Sequence, residues 1–154
     1  IANYNCPGQI VITGEAAAVA EAGTALKEAG ARRVLPLKVS GPFHSPMMRP
    51  AGEELAKVFA GVSMNPLKIP YVANINAEVI TDCGRIEGLL VEQVSGSVRW
   101  QQSVETMIRE GVDTFVEIGP GKTLTGFLRK IDKNVKAYHI GSWEEAVQVC
   151  EELK

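Results

Sequence analysis

The spacing of apolar and polar residues predicts a chain in which strands alternate with helices. Runs of branched apolar residues, such as residues 10–12, suit a pleated strand. Apolar residues three and four apart, as at Leu55, Val58 and Phe59, give a helix one apolar face. The predicted strands are 9–13, 34–39, 71–75, 114–118 and 135–140, and the predicted helices are 15–29, 47–60, 86–94, 98–110, 123–130 and 142 onward. This order predicts an α/β fold with mainly parallel pairing, beginning with a right-handed strand–helix–strand crossover.

Composition and charge exclude several classes of protein. The 154 residues suit one ordinary domain, or a small unit joined to part of a larger one. With 16 basic and 18 acidic residues and no basic run, nucleic acid is a poor partner. No apolar stretch approaches the roughly 20 residues that span a bilayer, so no membrane partner is expected. The three cysteines follow no zinc-binding spacing, which predicts reduced thiols, no metal site and a cytoplasmic protein.

A loop rich in helix breakers, residues 40–46, carries the first candidate catalytic residue, His44. An imidazole can accept a hydroxyl proton and return it near neutral pH, provided that a carbonyl or carboxylate holds its other ring nitrogen. The alternative that His44 only caps or packs the loop stays open. His139 lies in a strand-like run, which favours a half-buried structural histidine.

The candidates for a nucleophile or a phosphate site are weaker. The chain has no Gly-x-Ser-x-Gly elbow. Cys6 could pair with His44 as a nucleophile, although nothing cationic lies nearby in the sequence. Residues 119–123 resemble the end of a phosphate-binding loop, but Val116 stands where that motif needs its first glycine. A tight turn with a solvent-facing Lys122 is therefore favoured.

Four separate segments carry a resemblance, and their order along the chain fits it as well. They are NYNCPGQIVITG at 3–14, GPFHS at 41–45, EQ at 92–93 and VEIGPGK at 116–122. Together they resemble the bacterial malonyl-CoA:acyl carrier protein transacylase family of fatty acid biosynthesis. In that family a serine on a Gly-x-Ser-x-Gly elbow attacks the malonyl thioester of coenzyme A, and a histidine activates the serine. The phosphopantetheine thiol of acyl carrier protein then removes the acyl group from the serine.

The resemblance implies a role for four residues of this chain. His44 matches the catalytic histidine, and Gln93 matches the residue whose main-chain carbonyl orients it. Phe43 matches the aromatic position of members that use malonyl rather than methylmalonyl units. Asn5 lies on the segment that approaches the acyl pocket. The implied partners are malonyl-CoA and acyl carrier protein, with the coenzyme A thioester as substrate and no cofactor.

Family features that this chain lacks imply a division into parts. The elbow serine, a carboxylate-binding arginine and an oxyanion-hole glutamine are expected upstream of Ile1, in a missing amino-terminal part of the same enzyme. Residues 1–40 would end a ferredoxin-like small subdomain, and residues 41–154 would form the carboxy-terminal part of a large hydrolase-like α/β subdomain with a parallel sheet. The chain alone would be inactive. The rival hypothesis is a noncatalytic acyl-carrier-protein or nucleotide-binding module with phosphate at residues 119–123.

Overall fold

The structure, a computed structural model, describes residues 1–154 and confirms an α/β fold. The strands are β1 (Asn3–Cys6), β2 (Gln9–Val11), β3 (Tyr71–Val72), β4 (Val79–Ile80), β5 (Thr114–Ile118) and β6 (Lys136–Ile140). The helices are α1 (Ala16–Glu28), α2 (Arg49–Phe59), α3 (Ile86–Ser95), α4 (Trp100–Arg109), α5 (Thr123–Ile131) and α6 (Trp143–Glu152). All six predicted helices are present, and a 3₁₀ turn at Pro46–Met48 precedes α2. No helix combines the length and apolar character that crossing a membrane requires.

The strands form three separate pairs, and the prediction of mainly parallel pairing is wrong. β1 pairs antiparallel with β2, and β3 pairs antiparallel with β4. Only β5 and β6 are parallel, in the register Thr114↔Lys136 to Ile118↔Ile140. Two residues, Pro7 and Gly8, join β1 to β2, and so short a connection reverses the chain. Parallel neighbours need a longer crossover, which α5 provides between β5 and β6.

Residues 34–39 form no strand, so the predicted strand and the crossover built on it are also wrong. A strand needs a neighbour to pair with, and no other segment of the chain forms a ladder with this one. The alternating apolar side chains are present but uncovered: Leu35, Leu37 and Val39 are 67%, 60% and 63% exposed. The sequence pattern of a half-buried strand is thus retained without the partner that would bury it.

The small core lies between the β3–β4 hairpin and α3. Ala73, Ile80 and Leu89 form its centre, with Leu67, Tyr71 and Ile75 packed around them. Helix α2 packs closely on α3 at Gly52, where an added Cβ would lie 3.2 Å from the Val91 carbonyl oxygen. This packing places the end of α3 beside the loop of residues 40–46, which leads into α2.

The segment after α3, residues 96–99, is anchored to two other parts of the fold. The Tyr4 N–H donates to the Val98 carbonyl at 2.8 Å, and the Val98 N–H donates to the Ala2 carbonyl at 2.7 Å. The Arg99 N–H donates to the Asn74 carbonyl at 2.9 Å. β1 and the β3–β4 turn therefore fix the backbone that runs past His44.

Candidate active site

The loop before α2 holds His44 in an uncommon backbone conformation. The Ser45 hydroxyl donates to the Pro42 carbonyl at 2.6 Å and accepts from the Met47 N–H at 3.3 Å. These bonds are internal to the loop, and Ser45 is buried. His44 has a φ of 57°, in the left-handed region that few residues other than glycine adopt. Such strain is sustained only where the surroundings enforce it, and it is concentrated at functional sites.

The contacts of the His44 ring define its tautomer. Its Nδ1 lies 3.2 Å from the Gln93 carbonyl oxygen and 3.2 Å from the Gly96 carbonyl oxygen. A main-chain carbonyl only accepts hydrogen bonds, so Nδ1 must carry the hydrogen and donate to both. In the neutral ring Nε2 is then the acceptor, with a lone pair available for a proton. The ring is half-buried.

The carboxyl end of α3 presents main-chain carbonyls to this ring. The last carbonyls of a helix have no partner within it and carry the negative end of the helix dipole. The Gly96 N–H donates to the Glu92 carbonyl at 2.9 Å, and the His44 Nδ1–H donates to the next carbonyl, that of Gln93. The arrangement therefore suits a base that becomes positively charged during a reaction.

The other two predicted site residues, Phe43 and Asn5, make no hydrogen bond to the His44 ring. Phe43 precedes His44, is 47% exposed, and its ring lies over Gly41. Asn5 falls in the register break of β1 between Tyr4 and Cys6. A bulge of this kind re-aims side chains and is frequent next to active sites. β1 also bonds to residues 96–99, which links Asn5 to the backbone beside His44.

Cys6 does not have the surroundings of a nucleophile. Its side chain is buried, and its thiol donates to the Gln9 side-chain oxygen at 3.9 Å. A reactive thiol needs exposure and a nearby cation, so the pairing of Cys6 with His44 is not supported. All three cysteines are free, and no group of three or more His, Cys, Asp or Glu side chains is placed to hold a metal ion.

The first turn of α5, which follows the turn after β5, is already bonded to the carboxylate of Glu117. Glu117 accepts hydrogen bonds from the Leu124 N–H at 3.0 Å, the Thr125 N–H at 2.8 Å and the Thr125 hydroxyl at 2.6 Å. Burial is the largest influence on the pKa of Glu117 and raises it. The bonds from Thr125 and Leu124, with the charge of His139, outweigh burial and hold this pKa below its ordinary value. The phosphate-loop hypothesis requires free N–H groups at the start of α5, but the Glu117 carboxylate already accepts from those of Leu124 and Thr125. Lys122 is exposed, as predicted.

His139 is a structural residue, as the sequence predicts. Its Nε2 donates to the Gly119 carbonyl at 3.0 Å, which ties β6 to the turn after β5. Its side chain is 9% exposed, and its Nδ1 lies 3.5 Å from a Glu145 carboxylate oxygen.

Sequence reasoning missed two residues, Gly96 and Glu117. A glycine after a predicted helix indicates only where the helix ends, so the Gly96 carbonyl gave no signal of its contact with His44. A better signal existed for Glu117, because an acidic residue shortly before a helix can reach its free N–H groups.

Comparison with known proteins identifies relatives of the whole chain. The acyl transferase domain family matches residues 1–149. The chain is 42% identical over its whole length to the malonyl CoA-acyl carrier protein transacylase of Bacillus subtilis, of which it covers 49%. The chain thus spans about half the length of the curated relatives it matches.

Solved structures give the same result. The acyl-carrier-protein-S-malonyltransferase of Bartonella henselae matches 99% of the chain with a TM-score of 0.94 and 42% identity, and 49% of that protein is covered. A malonyl-transacylase solved in complex with its type II PKS acyl-carrier protein matches 98% of the chain with a TM-score of 0.94 and 38% identity, again over 49% of its own length. The match over residues 1–149 shows that this chain belongs to the acyl transferase domain family.

Proposed function

We propose that this chain supplies the catalytic histidine of an enzyme that transfers a malonyl group from coenzyme A to the phosphopantetheine thiol of acyl carrier protein. The observation that carries the proposal is the Nδ1–H of His44 held by two carbonyls, at 3.2 Å each, which leaves Nε2 as a base. The names of the relatives supply the acyl group and the acceptor. We infer His44 as the base and Gln93 as the residue that orients it through its main chain.

The proposed reaction has two steps, and the resemblance to the family supplies its serine. In the first, Nε2 of His44 takes the serine hydroxyl proton while the oxygen bonds to the malonyl carbonyl carbon. The tetrahedral intermediate collapses, the carbon–sulfur bond breaks, and the coenzyme A thiolate leaves with the proton returned from Nε2. In the second, Nε2 takes the phosphopantetheine thiol proton while sulfur bonds to the ester carbonyl carbon; the bond from that carbon to the serine oxygen then breaks, and the proton returns from Nε2 to the serine oxygen.

Phe43 and Asn5 are proposed to shape the acyl pocket. Phe43 directly precedes the base in the chain and is half-exposed, so its ring is available to limit the space beside the acyl chain. A branching methyl would crowd such a ring, and one methyl in a pocket is worth about 1–3 kcal/mol of discrimination. The bulge at Asn5 is consistent with a side chain turned away from the regular ladder and toward a ligand.

The serine is proposed to come from polypeptide that corresponds to the other half of the relatives. β5 pairs only with β6, so its other edge has unpaired backbone groups. Ile118 on β5 is 78% exposed, and the alternating apolar side chains of residues 34–39 are exposed as well. Edges and apolar faces of this kind pair readily with further chain. We propose that residues 1–40 belong to a ferredoxin-like small subdomain and residues 41–154 to a larger hydrolase-like one, with His44 at the junction.

The rival, a noncatalytic module that binds a nucleotide or acyl carrier protein, is not favoured. The Glu117 carboxylate occupies the amides that a phosphate would need. Titration of the chain with ATP, followed by calorimetry, is expected to show no binding. Binding that Lys122→Ala abolishes would restore the rival.

A chimera tests the proposal. The amino-terminal half of the Bacillus subtilis relative is fused to residue 1, and malonyl transfer from coenzyme A to acyl carrier protein is measured. We expect transfer, and a loss of at least about 100-fold with His44→Ala, because general-base catalysis contributes that much. Ser63→Ala, at an exposed position, serves as the control. A chimera that unfolds cooperatively but transfers no malonyl group, or transfers it equally with alanine at position 44, contradicts the proposal.

A further inference from the structure

We propose that Gly96 is a positioning residue for His44, and that Ile75 is the reason why no side chain is tolerated there. The inference rests on the proposed function and adds two residues to the machinery that orients the base. Its starting point is the second carbonyl at His44: the Gly96 oxygen lies as close to Nδ1 as the Gln93 oxygen does, at 3.2 Å.

Space, and not backbone conformation, requires the glycine. Gly96 has a φ of −92° and a ψ of 163°, which any residue can adopt. A Cβ built on it would lie 2.0 Å from Cδ1 of Ile75 and 3.1 Å from the Glu92 carbonyl oxygen. The first distance is far below van der Waals contact, so an added methyl must displace either the Ile75 side chain or the backbone at residue 96.

The Ile75 side chain is half-buried. It packs against the core of Ala73, Ile80 and Leu89. The backbone beside it is fixed because the Asn74 carbonyl accepts from the Arg99 N–H at 2.9 Å. The Glu92 carbonyl, which an added Cβ would also approach, accepts from the Gly96 N–H at 2.9 Å. An added methyl would thus meet Ile75 and the Glu92 carbonyl together, and we infer that the backbone carrying the Gly96 carbonyl shifts to accommodate it.

A shift of the Gly96 carbonyl changes what His44 can do. Two acceptors fix both the hydrogen on Nδ1 and the plane of the ring. With one acceptor displaced, the ring can turn about the remaining bond to Gln93, and Nε2 loses its alignment with the hydroxyl it must deprotonate. Misplacement of about 1 Å costs on the order of 100-fold in rate. The loss falls on kcat, because no contact with the substrate itself is removed.

The test removes Cδ1 of Ile75, the atom that a Cβ at residue 96 would approach most closely. Ile75→Val removes Cδ1 and leaves Cγ1, which lies 3.4 Å from the added Cβ. Gly96→Ala, Ile75→Val and the double variant are made in the 154-residue chain and in the chimera. Gly88→Ala is the matched control, because a Cβ there meets nothing within 4 Å. In the chain, nitrogen-15 NMR reports which His44 ring nitrogen carries the hydrogen. In the chimera, kcat and KM for malonyl-CoA are measured.

We expect Gly96→Ala to lower kcat by about tenfold or more with KM within about twofold, and to mix the His44 tautomers. The double variant should recover the Nδ1–H tautomer and a kcat within about threefold of Ile75→Val alone. The idea is overturned if Gly96→Ala keeps the kcat and tautomer of the unmodified protein, or if a folded double variant shows no recovery. The double variant also covers the case in which Gly96→Ala fails to fold.

The two proposals can fail separately. A chimera that depends on His44 but is indifferent to Gly96→Ala leaves the proposed function intact and removes the positioning role. In the other case, Gly96→Ala changes the His44 tautomer and Ile75→Val restores it, but the chimera transfers no malonyl group. The positioning role then stands and the proposed function fails.

Discussion

Replacement of Glu117 by glutamine tests how the turn after β5 is stabilised. The Glu117 carboxylate accepts three hydrogen bonds, at 2.6, 2.8 and 3.0 Å, at the first turn of α5. Glutamine keeps one acceptor oxygen, loses the negative charge at the helix start and turns an N–H₂ group toward donors. Hydrogen bonds to charged groups contribute about 1.5–3 kcal/mol, and a charge at a helix end adds about 0.3–1 kcal/mol. We expect a loss of about 2 kcal/mol in the free energy of unfolding, which corresponds to about 4–8 °C in Tm for a chain of this size.

The stability that Glu117 contributes depends on pH. Because the folded state lowers the pKa of Glu117, the carboxylate adds stability above the unfolded-state pKa of about 4.3. That stability is lost as the pH falls through the lowered folded-state pKa. Thermal unfolding of Glu117→Gln and the unmodified protein should therefore differ most near pH 7 and converge in acid. Glu53→Gln, at an exposed position on α2, is the control. Equal Tm values at pH 7, or a difference that persists unchanged in acid, would refute the reasoning.

Three further predictions concern the loop, the pocket and the last helix. Ser45→Ala should cost about 1–2 kcal/mol in thermal unfolding, because a buried hydroxyl with two hydrogen bonds is lost; a cost no larger than that of Ser63→Ala would contradict it. Phe43→Ser in the chimera should reduce the preference for malonyl over methylmalonyl about 10- to 200-fold in kcat/KM, and an unchanged ratio would remove its selective role. Ser142→Ala should cost about 1 kcal/mol, since its hydroxyl accepts from the Glu145 N–H at 3.2 Å; an unchanged Tm would contradict that.

The helices were predictable because each carries its own pattern. The apolar spacing of α2 and the Gly111 that follows α4 are local signals, and a helix satisfies its hydrogen bonds within one segment. β5 and β6 were predictable for a related reason: residues 114–118 and 135–140 flank a helix long enough for a parallel crossover.

The absence of a strand at residues 34–39 could not be predicted from those residues alone. The alternation of Leu35, Leu37 and Val39 fits a strand, yet a strand exists only where another segment pairs with it. The chain spans about half the length of its curated relatives, so apolar rows without a local partner are consistent with the proposed second half. The antiparallel pairs have a different cause: each contains one short strand, β1 or β4, that is absent from the predicted strands.

Only part of the candidate site could be predicted from the sequence. The breaker-rich loop around His44 and the resemblance of residues 92–93 predicted the pair that the structure brings into contact. The Gly96 carbonyl was not predictable, because its contact depends on how Ile75 and the end of α3 pack in three dimensions. Sequence patterns identify side chains with chemistry, whereas a main-chain acceptor that no resemblance indicates, such as the Gly96 carbonyl, becomes visible only in the fold.

The account depends most on His44 as the base that forms the acyl-serine intermediate. The most direct measurement is intact-protein mass spectrometry of the chimera, quenched in acid at short times after malonyl-CoA is added without acyl carrier protein. We expect the unmodified chimera to acquire one malonyl group as an ester and His44→Ala to acquire it at least about 100-fold more slowly. A chimera with alanine at position 44 that is loaded at the unmodified rate would contradict the account.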